Sequence, residues 1–344
     1  VGDEAGTAIT TGDNNVAVGY NALATEDGNG NNVAIGYAAL NTLNAGAAGY
    51  NTAVGVSAGT AVTTGTENTL IGASVGDALT TGLENTAVGY GALSADRYGK
   101  YSTAIGNYAT ATSSYNTAVG YRAGLEVTTG TDNTLIGGLA GDALTTGSLN
   151  TAIGKTALGT DTKGSRSIAV GRYALGTQNF TTATDNYNVA MGYSAGGALT
   201  TGTHNSLIGA LAGDAITDAD YNVALGYSAL GGNTVGSRST AVGFQSLEAQ
   251  NPATATDMYN TAVGYNSGAA VTTATHNTLI GALAGDALTT GASNVAVGYG
   301  ALSTDDVGQH NVAIGRDALS ALNIATAANT YNTAVGSSAG TAVT

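Results

Sequence analysis

Four aspartates recur in this sequence in the same setting, Asp77, Asp142, Asp214 and Asp286, each inside a Gly-Asp-Ala triplet. Copies of one such carboxylate meeting around an oligomer axis could hold a cation; the alternative is a solvated or salt-bridged turn. Calcium-binding β-rolls place carboxylates on successive turns at nonapeptide spacing, a pattern missing here. His204 and His276 stand in equivalent Thr-His-Asn triplets, but Glu67 and Asp132 fill that place elsewhere, which argues against a metal site. Lys100, Arg166, Arg238 and His310 recur with Asp96, Asp161 and Asp305 close by in sequence. They read as exposed inter-chain salt bridges, each worth little. Gly28-Asn29-Gly30 and Gly120-Tyr121-Arg122-Ala123-Gly124 lack the Lys-Ser/Thr pair and the strand-to-helix context of a phosphate loop. Every candidate is a repeated position rather than a unique one, so no catalytic set can be assembled. Neither enzymatic activity nor a metal or cofactor is expected.

The elements behind these residues show in the composition. Of 344 residues 53 are Gly, one is Pro and none is Cys or Trp. So much glycine with so little proline excludes collagen, and Val, Ile and Thr at fixed spacing with only 9% charged residues exclude disorder. The net charge of −14 leaves no basic cluster to displace counterions from phosphates, so no nucleic-acid partner is expected. No run of about 18 apolar residues occurs, so no membrane insertion is expected in this segment.

A five-residue core of the form Asn-x-Ala-(Val/Ile)-Gly repeats 19 times, ending on an anchor glycine at Gly19, Gly36 and so on to Gly336. The spacing is mostly 17, as from Gly19 to Gly36, with departures of 19, 14 and 21. From Gly120 to Gly192, Gly264 and Gly336 the interval is 72 each time, three coils of 17 and one of 21. Four-coil repeats therefore span about 116–187, 188–259 and 260–331 of a single repetitive segment, 1–344. Both ends fall inside the pattern, Ala339 to Thr344 repeating Ala58 to Thr63.

The fixed positions are structural: Asn15 with Gly19, Asn32 with Gly36, Asn68 with Gly72, Asn133 with Gly137, Asn205 with Gly209 and Asn277 with Gly281. Asn is present in 16 of 19 copies, Ser102, Ser167 and Ser239 being the exceptions. At one corner of every coil it can bond its own backbone and its copies in adjacent coils. Each core is too short for a helix and alternates with period two, which predicts a short strand. One face carries Val/Thr and Val/Ile, the other Asn, Ala and Gly. Neither is charged, so both should be covered, one by the coil interior and the other by a neighbouring subunit that the small Ala and Gly side chains let come close. The anchor glycines and the segments Thr80-Thr81-Gly82 and Thr145-Thr146-Gly147 should supply positive φ where the chain reverses. Tyrosines beside the anchor or before Asn (Tyr20, Tyr37, Tyr115, Tyr187) suit rim positions with wet hydroxyls.

Asn32-Val33-Ala34-Ile35-Gly36 and Asn311-Val312-Ala313-Ile314-Gly315 resemble the head repeats of trimeric autotransporter adhesins, the YadA-like family, whose signature is Asn-Ser-Val-Ala-Ile-Gly. Similar repeats are found in phage fibre proteins. Variants of the motif cover the chain, although its usual coil is longer than the one typical of that family, and no neck, coiled-coil stalk or barrel anchor accompanies them. The resemblance implies a left-handed parallel β-roll of about 20 coils, assembled as a parallel homotrimeric fibre on a cell or virion surface.

The expected class is thus an all-β parallel β-solenoid with a structural and adhesive role, its partner being itself, and further a surface receptor or glycan. Alternatives are a phage tail or head fibre or horn engaging a host receptor, and an ice- or carbohydrate-binding solenoid that uses the Thr-Thr pairs. The 21-residue coils carry the most variable residues, with Phe180, Asp185, Pro252, Asp257 and Asn329 as candidate exposed loop positions. Two readings stay open for these loops, a ligand-facing surface and a tolerated insertion.

Overall fold

The computed structural model describes residues 1–343; Thr344, the last residue of the terminal repeat noted above, lies outside them. The chain is an all-β parallel β-solenoid of about 19 turns, most of them 17-residue coils, with no helix among the described residues. Each core forms a three-residue strand, such as Val33–Ile35, Thr69–Ile71 or Ser206–Ile208. The strands stack in parallel with identical residues in register, Ala17 on Ala34 and Ala34 on Ala53. Two compact units make up the chain. The first comprises Val1–Ser167 with Phe180–Asp185, the second Ile168–Asn179 with the residues from Asn186 onward. Nine core strands stack in the first and ten in the second.

The strand faces are reversed relative to the expectation from the sequence. The central residue of each strand, Ala34, Ala53, Leu70 or Ala224, has no exposed surface and faces the interior together with the core Asn, whereas the flanking Val and Ile point outward. The cause is the narrow cross-section of so short a coil. Little room remains beneath the strand, and what there is fills with large side chains from elsewhere in the coil.

Side-chain size is balanced along the stack, and this explains the four-coil repeat. Where the central residue is Leu, the positions around it are stripped to glycine. A Cβ on Gly196 or on Gly213 would lie 2.8 Å from the methyl groups of Leu207, and Leu135 and Leu279 sit between glycine pairs in the same way. In the following coil the centre is Ala224 and the large residue moves to Leu230, also fully buried. The coils of Leu135 and Leu279 also bury Leu144 and Leu288, and the glycines Gly141 and Gly285 leave room for both leucines of each pair, consistent with interior packing at crystal-like density.

Turns are made by left-handed residues at regular places. Leu93, Leu158 and Leu230 adopt φ of 57°, 52° and 52°, a conformation that disfavours side chains but here delivers Leu into the core. The anchor glycines lie near φ 127° to 143°, where a side chain would strike the next coil, as at Gly209 against the Gly226 carbonyl. Gly82 and Gly147 are not in the left-handed region, contrary to the expectation. Glycine stands there because a Cβ on Gly147 would strike the Gly164 carbonyl of the adjacent coil.

Candidate functional site

The outward strand positions form the most continuous feature of each unit. Ile71 and Ile136 in the first, and Ile208 and Ile280 in the second, are 37–41% exposed, and the residues two earlier are Thr or Ser. Neither of these two columns carries a charge in any coil. Aromatic residues border them and stack from coil to coil. Tyr20 and Tyr37 lie 5.5 Å apart, and Phe244 lies 5.3 Å from Tyr227 and 5.5 Å from Tyr265. On the other border His204 sits between Tyr187 and Tyr221 at 5.3 and 4.9 Å, while His276 stacks on Tyr259 and His310 on Tyr331. The histidines are spread along this border, and among the described residues no group of three or more His, Cys, Asp or Glu is placed to hold a metal ion.

The core Asn column is internal. Asn68 donates through Nδ2 to Asn51 Oδ1 at 3.1 Å and to the Gly82 carbonyl at 2.9 Å, and its own Oδ1 accepts the Asn85 N–H at 3.1 Å. Asn133, Asn205 and Asn277 are buried in the same way beside Gly137, Gly209 and Gly281. Asn68 thus ties three consecutive coils; Asn311 departs from the column in that its buried Nδ2 has no hydrogen-bond partner.

The charge pairs differ from those expected. Asp96, Asp161 and Asp305 are buried, not surface partners of the cations. Each carboxylate accepts backbone N–H groups of its own turn, from Gly99 at 2.8 Å, Gly164 at 3.0 Å and Gly308 at 3.0 Å. Burial raises the pKa of Asp96 and Asp305 despite these bonds. Arg166 and Arg238 pair within the chain, with Asp185 at 3.0 Å and Asp257 at 2.9 Å. The half-buried Asp77, Asp142, Asp214 and Asp286 also have their pKa raised, again by burial.

The lengthened coils fold back on themselves. Asp185, Asp257 and Asn329 are exposed, but Phe180 and Pro252 are buried, contrary to the expectation. The reason is that each insertion brings its own cover. Phe180 donates its N–H to the buried Asp161 at 3.0 Å, and Ile324 does the same to Asp305 at 3.3 Å. Pro252 has no N–H to give, and the residue beneath it is Asn233, whose side chain is satisfied by Gly236 alone, at 3.0 and 2.7 Å. The extra residues then add a two-residue parallel strand to the preceding coil, Thr184–Asp185 on Gly164–Ser165 and Thr256–Asp257 on Gly236–Ser237.

The Thr-Thr pairs present half of their hydroxyls. The first Thr donates to the carbonyl of the next coil, Thr80 to Arg97 at 2.9 Å and Thr289 to Asp306 at 3.0 Å, which leaves only the second Thr free of this bond. A different feature escaped the sequence reading, a cavity of about 340 Å³ beside the single 14-residue coil. Its signals were the short spacing and Ser102 in place of Asn directly before it. No protein-family model and no curated protein matches the chain.

Proposed function

We propose that the chain is a structural and adhesive fibre segment without catalysis, assembled as a parallel homotrimer through its outward Val/Ile face and displayed on a cell or virion surface. The observation that carries this reading is the pair of uncharged columns exposed on a single chain, coil after coil, in a protein of net charge −14. An extended apolar patch of this kind marks an interaction surface. A second copy in parallel register is the partner that repeats one favourable contact at every coil, and an uncharged face spares two acidic chains from repulsion. The resemblance of the repeats to YadA-like head repeats supports three chains and a surface location, and the occurrence of similar repeats in phage fibres supports the virion variant of the same role. A surface receptor or glycan would be the second partner.

Sedimentation and chemical crosslinking of the purified chain test the assembly. A trimer is expected, and replacing Ile136, Ile208 and Ile280 by Lys should release monomers that keep their β-sheet circular dichroism. A wild-type chain that stays monomeric at micromolar concentration removes the proposal.

A further inference from the structure

The cavity beside the 14-residue coil is a break in an otherwise periodic surface. Residues 107–120 form a coil three residues shorter than its neighbours, so the corner built elsewhere by the segment after the anchor is missing. What should have packed there leaves groups unmet. The carbonyls of Thr80, Arg97, Thr145 and Thr162 each accept a backbone N–H from the preceding coil, whereas that of Thr128, which follows the short coil, accepts none among the described residues. Thr112 Oγ1 and Asp96 Oδ2 are buried at the wall without a hydrogen-bond partner. Asp305 has the same orphan oxygen in a regular coil, and the carbonyls of Asn44 and Asn251, at the place of Thr128 in their coils, likewise accept no backbone N–H, so the orphaned Thr112 Oγ1 is the feature that belongs to the short coil.

The remaining lining sets the chemistry of an occupant. Tyr98 stands at the edge with 64% of its surface exposed, and Arg97 beside it is exposed as well. Ser113 and Ser114 form the floor, with Ser114 Oγ accepting the Lys100 N–H at 3.3 Å. Donors and acceptors, together with one tyrosine, thus line a small hollow. An inorganic anion would meet the Asp96 carboxylate and the Thr128 carbonyl. A divalent cation would find a single carboxylate where it needs several oxygen ligands of higher charge. A pyranose offers hydroxyls that both give and accept, and a C–H face for the tyrosine ring. At about 340 Å³ the hollow lies at the small end of ligand pockets, roughly 300–1,000 Å³.

We propose that the 14-residue coil forms a binding site for a single sugar ring, with the Tyr98 ring as platform and Thr112, the Thr128 carbonyl and Arg97 as hydrogen-bonding groups. The site is built within one chain, so it does not depend on trimer formation. Methyl glycosides of glucose, galactose, mannose, N-acetylglucosamine and N-acetylneuraminic acid are the probes, titrated into the purified chain by saturation-transfer NMR and calorimetry. At least one is expected to bind with Kd on the order of 1 mM, about tenfold weaker in Tyr98→Ala and in Thr112→Val. Inserting Thr-Thr-Gly after Thr112, which restores the usual coil length, should abolish binding with sheet content unchanged, and Tyr299→Ala should leave it intact. Absence of binding by every glycoside, or binding that survives the insertion or Tyr98→Ala, overturns the proposal. Sedimentation of the same samples reports the assembly separately.

Discussion

The short coil and the long coils depart from one regular pattern in opposite directions, and they differ in what covers the coil beneath them. In each long coil the inserted residues answer what lies beneath them: Phe180 and Ile324 bring an N–H to Asp161 and Asp305, and Pro252, which has none, lies above Asn233. The short coil leaves Thr112 Oγ1 and the Thr128 carbonyl without a protein partner. A buried polar group left unmet costs about 1–3 kcal/mol, and Gln250 Nε2 in a long coil bears it as Thr112 Oγ1 does in the short one; the difference is that the short coil opens a hollow beside its unmet group.

Regular coils set the scale for testing this contrast, because their stability rests on packing. Leu207→Ala empties the space between Gly196 and Gly213, which cannot close without moving two backbones. A loss of about 2–5 kcal/mol is expected from urea unfolding, the largest effect among these variants. A loss below about 1 kcal/mol would mean that the interior is loosely filled.

The long coils should answer to hydrogen-bond matching. Asp161→Ala strands the N–H groups of Gly164 and Phe180 but also removes a buried carboxylate, so a net loss of about 1–3 kcal/mol is expected. A sharper comparison exchanges the two solutions. Asn233→Asp alone buries a carboxylate beneath Pro252 and should destabilise; adding Pro252→Ala supplies the missing N–H and should recover part of the loss. A coupling of about 0.5–3 kcal/mol is expected in the double-mutant cycle, and strict additivity would show that the pairing is coincidence.

Much of the architecture was legible because repetition exposes it. The spacing of anchor glycines gave the coil length, and Asn at a fixed corner implied the ladder that Asn51, Asn68 and Asn85 form. The direction of the strand faces was not legible. Ala and Val are both apolar, and only the cross-section decides that Ala34 lies inside while Ile35 lies outside. Asp161 and Asp305 looked like surface charges because their partners are backbone amides, which leave no trace in side-chain patterns. Phe180 and Pro252 were misplaced for a related reason: a loop long enough to fold back makes its own interior. The cavity was visible only as two separate irregularities, the 14-residue spacing and Ser102, whose hydroxyl bonds the Ser113 carbonyl at 2.9 Å where an Asn elsewhere continues the column.

Protonation probes both kinds of coil at once. Asp96 beside the short coil and Asp305 beneath a long one have folded-state pKa values raised by burial, as do Asp77, Asp142, Asp214 and Asp286 in regular coils. A raised folded pKa means that the folded chain binds protons more tightly than the unfolded one. These groups therefore weaken the fold at neutral pH, and stability should be regained as pH falls through the folded values, fully so below the unfolded value of about 3.9. The melting temperature is expected to rise between pH 7 and mildly acidic pH, and Asp96→Asn should flatten that rise. A melting temperature that falls steadily over the same range would count against the buried carboxylates.

The smallest effects belong to the exposed pairs Arg166 with Asp185 and Arg238 with Asp257, which clasp the extra strands to their coils. Both partners are about half exposed, so solvent screens the attraction and Arg238→Ala should leave the urea midpoint almost unchanged. If the inserted segments are held by their buried faces, through Pro252 and Met258 against Gly236, this variant leaves them ordered, and exchange of the Met258 amide, which donates to the Ser237 carbonyl, should stay as slow as in the parent chain. Fast exchange there would assign the clasp to the ion pair. The long coil would then depend on a screened surface contact, and its contrast with the short one would narrow.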